Sequence, residues 1–161
     1  MKHKNIVDFV REHDNKWTFD TCIWKLKMNK FVDYHIDFVL INKTIELFIN
    51  DVPLDGFPVK TKDEYQGVEL EIQDYLFDAF GIEIRFCDNC GMPMDRGMTS
   101  DGGGFYNCEE CFPEVMNETY GKGNWRPCED ENGDENSEGG YYEYFENEKW
   151  HDEPSYYTEW N

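Results

Sequence analysis

The chain has 161 residues and a formal net charge of −20, from 35 Asp/Glu against 15 Lys/Arg. Such acidity disfavours direct nucleic-acid binding, in which Lys and Arg replace phosphate counterions, and it opposes attachment to anionic membrane surfaces. No stretch reaches the ~20 apolar residues of a membrane-spanning helix, and no apolar run with a cleavage site follows Met1, so the expectation is a soluble cytoplasmic protein.

In chain order, residues 5–13 read as a helix, because Ile6, Phe9, Val10 and His13 recur along one face. Residues 22–28 read as a strand in which Trp24, Leu26 and Met28 alternate with Lys25 and Lys27; Cys22 is then an ordinary buried thiol. Two further strands are expected over 35–41 and 44–50, joined by a tight turn at Asn42-Lys43. Two prolines and a glycine mark 51–58 as a loop. A second helix should begin near Thr61, where Thr61 and Glu64 have capping-box spacing. Val68, Ile72, Tyr75, Leu76 and Ala79 form its apolar face and Gly81 stops it. Ile82, Ile84 and Phe86 then alternate as a short strand. The predicted architecture for 1–86 is α+β: a small antiparallel sheet with two helices.

Residues 87–126 contain the strongest motif, Cys87-x2-Cys90-x17-Cys108-x2-Cys111. Two C-x-x-C pairs at this separation match a four-thiolate zinc site: each short turn aims two sulfurs at one point, and two such turns complete a tetrahedron. Gly91 supplies the positive φ that a knuckle turn needs. Gly102 to Gly104 suit a hairpin between the pairs, and Phe112-Pro113 reads as a helix start after Cys111. A knuckle, a hairpin and a ligand pair at a helix N-terminus favour a treble clef over a zinc ribbon. Four cysteines leave zinc no open position, so a single Zn2+ would be structural.

Residues 127–161 carry 12 Asp/Glu and one Lys. Residues 129–140 read as a flexible linker. The aromatics beyond them, Tyr141 to Trp160, are too many for a purely solvating tail and should pack back on the protein or dock on a partner.

Catalytic chemistry finds little support. His3, His13, His35 and His151 lie in no recognisable catalytic motif, and residues 87–120 hold no histidine for a nuclease site. No phosphate-binding glycine loop is present. The partial calcium-loop echo at Asp134, Asn136 and Glu138 fails at its twelfth position, Phe145. Cys128 and His151 are weak additional ligand candidates. Nucleic-acid recognition by the zinc module is also disfavoured, because Arg96 is the only basic side chain in 87–120 against seven acids.

The Cys-Asp-Asn-Cys-Gly-Met-Pro-Met knuckle at 87–94, Tyr-Asn-Cys-Glu-Glu-Cys-Phe at 106–112 and the terminal Tyr-Tyr-Thr-Glu-Trp at 156–160, in a small acidic chain, resemble phage-encoded anti-CRISPR inhibitors of type II (Cas9-type) nucleases. The resemblance implies a non-enzymatic inhibitor that binds the effector and blocks its loading or its target DNA. Guide–target duplexes lie in a positively charged channel of such nucleases, toward which an acidic protein is steered. Glu143, Glu146, Glu148, Asp152, Glu153 and Glu159 are then candidates to stand in for phosphates, with Trp150 and Trp160 as anchors. The alternative is a structural or adaptor zinc module whose acids serve solubility.

Overall fold

The structure is a computed structural model that describes residues 4–59, 65–100, 105–128 and 141–160. Its contacts gather into two compact units, one running to Asp95 and taking in Trp160, the other Arg96–Glu159. Both are α+β with antiparallel sheets.

The first unit opens with helix α1, Ile6–Glu12. Asn5 caps it by accepting from the backbone N–H of Val7 and Asp8, while Asp8 reaches back to the Asn5 N–H. This reciprocal box satisfies donors that the first turn leaves free. Strands β1 (Lys16–Lys25), β2 (Lys30–Ile41), β3 (Thr44–Ile49) and β4 (Val52–Pro58) form a meander in that order. The Asn42-Lys43 turn appears where the sequence placed it, with both residues at positive φ. Helix α2 (Tyr65–Phe80) follows, and Gly81 ends it at φ +72°. The proposed cap at Thr61 and Glu64 lies outside the described residues.

The core is built by the buried face of the sheet, α1 and α2. Ile6, Val10, Ile36, Phe38, Ile45, Leu47, Ile72 and Leu76 are all within 1% of full burial. At roughly 25 cal/mol per Å² of apolar surface, these residues supply most of this unit's drive to fold. Glu69 on α2 accepts the backbone N–H of Ile6, and burial pushes its carboxyl up to about 8.

Four expectations are corrected here. The segment 51–58 is a strand, β4: it lies at the sheet edge, its pairing with β3 shifts register opposite Leu47/Phe48, and an edge tolerates prolines because an outward-facing N–H is not needed by a neighbour. The strand expected at 22–28 begins earlier, at Lys16, and gives way to a 3-10 turn at Leu26–Met28, with Asn29 left-handed at φ 51°. Its apolar alternation there belongs to an exposed hairpin tip. Cys22 is accordingly in β1 but exposed, not buried. Ala79, assigned to the apolar face of α2, is also exposed, since that face ends at Leu76 and half-buried Phe80.

On the meander, His35 Nδ1 lies 2.7 Å from Asp20, and its Nε2 lies 3.6 Å from buried Asp37. The hydrogen bond to Asp20 raises the His35 pKa above its usual 6.5, with Asp37, Asp20 and Asp51 adding to it. A raised folded-state value means that this contribution is complete below the unfolded value and is lost as pH rises through the folded one. His35→Gln should therefore flatten the pH dependence of stability just above pH ~6.5, read as denaturant midpoints at pH 6 and pH 8.5. An unchanged wild-type slope in the variant would contradict this assignment.

The second unit is a five-stranded sheet ordered β8-β7-β11-β10-β9, with one helix. Its elements are β7 (Arg96–Ser100), β8 (Tyr106–Asn107), helix α3 (Phe112–Tyr120), β9 (Trp125–Pro127), β10 (Tyr141–Glu146) and β11 (Lys149–Glu159). The expected linker at 129–140 lies outside the described residues. Beyond it the aromatic segment is a β-hairpin, turned at Asn147-Glu148, both at positive φ. Met98, Phe112 and Met116 make a small core joined by Phe105, Tyr120, Trp125, Tyr142 and Tyr157. The Tyr144 ring stacks on Tyr120 at 4.4 Å and Phe112 meets Tyr142 at 4.9 Å, so α3 covers one face of the β10–β11 hairpin. Tyr142 and Tyr157 of the terminal segment thus pack into this unit's core.

Candidate metal centre

The knuckle around Cys87 and Cys90 sits in the first unit, flanked by β5 (Arg85–Phe86) and β6 (Pro93–Met94), which pair antiparallel. The backbone closes it with two hydrogen bonds: Cys87 N–H donates to the Met92 carbonyl at 3.0 Å, and Gly91 N–H to the Cys87 carbonyl at 2.9 Å. Gly91 is buried at φ +82°, and a Cβ there would sit 2.0 Å from the Asn5 carbonyl oxygen. Lys4 N–H also donates to the Asn89 carbonyl at 2.9 Å. The entry to α1 is therefore laid directly on the knuckle, and only glycine leaves room for it.

The second pair flanks the start of α3. Cys108 follows β8, and its carbonyl accepts the Phe112 N–H at 3.1 Å. Cys111 is the N-cap residue, and its carbonyl accepts from Val115 at 3.1 Å. Pro113 occupies the first turn, where its missing N–H costs no helical hydrogen bond.

The ligand atoms of Cys87, Cys90, Cys108 and Cys111 all lie within 4.8 Å of one another. Cys87 and Cys108 are buried, Cys90 and Cys111 half-buried, and none is in a disulfide. In a tetrahedral site with metal–sulfur bonds of ~2.3 Å the sulfurs stand roughly 3.8 Å apart. Separations below 4.8 Å are compatible with that shape. Four soft thiolates suit zinc or another thiophilic ion and give hard cations such as magnesium or calcium no oxygen donor. The donor set and its placement thus fit a metal ion.

The other candidates fall elsewhere. Cys22 stands opposite Asp33 in the β1–β2 register, and its hydrogen bond to that carboxylate raises its pKa. Burial raises the pKa of Cys128, helped by Glu143 and Asp152. Neither thiol belongs to the cluster. His151 stacks on Tyr144, and its Nε2 contacts the Glu146 carbonyl at 2.9 Å. A second donor grouping that sequence reasoning did not single out is His35, Asp37 and Asp51; strand alternation hinted at it, since His35 and Asp37 share one face.

The structure places the candidate partner-binding residues differently from one another. The β10–β11 register sets Glu143 opposite Asp152 and Phe145 opposite Trp150, with Arg126 of β9 opposite Glu143. These side chains share the sheet face turned away from α3. There Glu143 pairs with Arg126 at 2.5 Å, and the Arg126 guanidinium lies 3.8 Å from the Trp150 ring centre. Glu146 and Glu148 are exposed at the hairpin end, and Asp152 is exposed on β11. Glu159 is exposed beside Arg96 at 3.8 Å. Glu153 is different: it is buried, accepts the Tyr120 hydroxyl, and accepts the Ser155 N–H at 3.1 Å and hydroxyl at 2.8 Å. Burial, then the bond to Glu153, raises the Tyr120 pKa. Glu153 therefore satisfies an internal network and presents little to a partner. Trp160 belongs to the first unit, where its N–H donates to the Asp95 carbonyl at 2.9 Å and Arg85 lies over its ring at 5.8 Å.

Compared with protein-family models, with curated proteins and with solved structures, the chain matches none.

Proposed function

We propose that the chain is a non-enzymatic inhibitor of a type II CRISPR effector nuclease (Cas9), held in shape by one structural zinc in a treble-clef setting and binding through an acidic face. The observation that carries this reading is where the acid sits. Arg96–Glu159 holds 17 Asp/Glu against 4 Lys/Arg, a net −13 of the −20, and Glu143, Glu146, Glu148 and Asp152 ride on an ordered hairpin. Carboxylates fixed on a sheet are preorganised to replace phosphates at a basic groove, so less side-chain entropy is lost on binding. Phe145, 41% exposed, and half-buried Trp150 supply apolar anchors on the face that Glu143 and Asp152 share.

A shallow cavity of about 260 Å³ in the first unit is lined by Gln73, Asp74, Phe77, Glu83, Ile84 and Arg85. It holds no cysteine, histidine or serine nucleophile, and Arg85 is tied to Glu83 at 2.8 Å.

The test is binding of the zinc-loaded protein to purified guide-loaded Cas9 at 50 and 300 mM salt, with DNA cleavage as a second readout. Saturable binding that weakens at the higher salt is expected, and Glu146→Gln/Glu148→Gln/Asp152→Asn should weaken it about tenfold or more. No binding at low salt would overturn the nuclease reading and leave the rival, an adaptor module in another complex.

A further inference from the structure

The β1–β2 hairpin tip runs against the character of the rest of the chain. Over residues 24–32 it carries Lys25, Lys27 and Lys30 and no acid. It also concentrates exposed apolar side chains: Leu26 is 82% exposed, Phe31 65%, Met28 56% and Trp24 46%. Four of the nine large hydrophobic residues exposed among the described residues therefore fall within eight positions.

The local geometry explains the display. The 3-10 turn Leu26–Met28, closed by left-handed Asn29, puts Leu26 and Met28 at the apex. One rung behind, Trp24 pairs with Phe31, their rings edge to face at 5.0 Å. Lys25 and Lys30 are the last cross-strand pair. Lys25 turns back to donate to the Phe80 carbonyl and lies 5.6 Å from the Tyr34 ring centre, which leaves Lys27 and Lys30 beside the apex. Desolvating this patch is favourable, and solvent-exposed clusters of this kind mark contact surfaces.

We propose that this tip is a peripheral membrane anchor for an anionic lipid surface. A convex apolar apex fits the loose headgroup–acyl boundary, where Leu and Met penetrate and Trp and Phe settle at interfacial depth. The lysines meet lipid phosphates at the same level, each favouring binding near the surface. The acidity of the whole chain opposes a broadside approach. Electrostatic repulsion decays over a Debye length of ~8 Å at physiological salt, and residues 24–32 themselves carry no acid, so the charge that meets the lipid at the tip is positive. This inference is independent of the nuclease reading, since it uses neither the acidic face nor the metal.

The experiment is co-sedimentation of the full zinc-loaded chain with phosphatidylcholine vesicles containing 30% phosphatidylglycerol, and with pure phosphatidylcholine vesicles. The protein should pellet with the anionic vesicles and much less with the neutral ones. Lys27→Gln/Lys30→Gln should lower the partition coefficient by about thirtyfold, and Leu26→Ser/Met28→Ser should abolish pelleting. All four side chains are solvent-facing, so unchanged circular dichroism should accompany each variant. No pelleting at millimolar anionic lipid would overturn the proposal and turn the tip toward a protein pocket. Variants that pellet like the wild type would overturn it equally, as would equal binding to neutral vesicles.

Discussion

Stripping the metal from the purified protein is expected to melt the knuckle and release the start of α3. Binding of zinc to four-cysteine sites contributes on the order of 10–16 kcal/mol in apparent terms at neutral pH, more than the ~5–15 kcal/mol net stability of a typical domain. Cys87 and Cys108 are almost fully buried, and a metal-free site would leave four thiols to repel one another once any two ionise. The first unit has a separate apolar core around Phe38 and Ile72, so its sheet and α2 should outlast metal loss. Cys108→Ser and Cys90→Ser should each reproduce the effect at a lower level, because serine remains protonated and binds zinc poorly. Chelator titration followed by near-ultraviolet circular dichroism and by amide spectra checks this. Retention of every Phe112–Tyr120 amide signal in the chelated protein would contradict it.

Gly91→Ala is expected to be the most damaging single-methyl addition in the knuckle. The new Cβ would stand 2.0 Å from the Asn5 carbonyl oxygen and 2.1 Å from its carbon. Both are backbone atoms, so no side-chain rotation relieves the overlap. The positive φ of 82° adds strain for any residue with a Cβ. Overpacking and strain together should cost about 3–5 kcal/mol, seen as a lower denaturation midpoint in zinc-loaded protein. Gly67→Ala serves as a control: nothing lies within 4 Å of its Cβ position, and it sits in α2, where alanine is favoured over glycine by about 1 kcal/mol. A Gly91→Ala midpoint equal to that of wild type would show that Asn5 does not press on the knuckle.

What could be read from the sequence follows from how local each signal is. The cysteine spacing needs no tertiary knowledge, because a two-residue gap sets the turn and the metal supplies the rest. α1 was legible from its apolar face, and Asn42-Lys43 from its place between two apolar runs. β4 was hidden because prolines argue for a loop unless the strand is known to lie at an edge, and edges are decided by distant pairing. The alternation of Trp24, Leu26 and Met28 misled for the opposite reason: a period of two indicates a strand but not which side, if any, is buried. The β10–β11 hairpin was masked by its charge. Tyr142 and Tyr144 alternate with Glu143, which is a strand pattern, yet the surrounding acids draw attention to solvation instead. By sequence alone Glu153 reads as one of the outward acids, although it lies between Asp152 and Pro154 on the alternate, inward side. Nothing in its chemistry distinguishes it from its neighbours until Tyr120 is placed beside it.

The most direct test of the proposed metal staple is metal and thiol stoichiometry on the same preparation. Inductively coupled plasma mass spectrometry on the native protein should find about one zinc per chain. A thiol reagent should react at once with exposed Cys22 and more slowly with half-buried Cys128, and with Cys87, Cys90, Cys108 and Cys111 only after a chelator is added. Protein without zinc whose six cysteines all titrate freely while the fold persists would contradict the account.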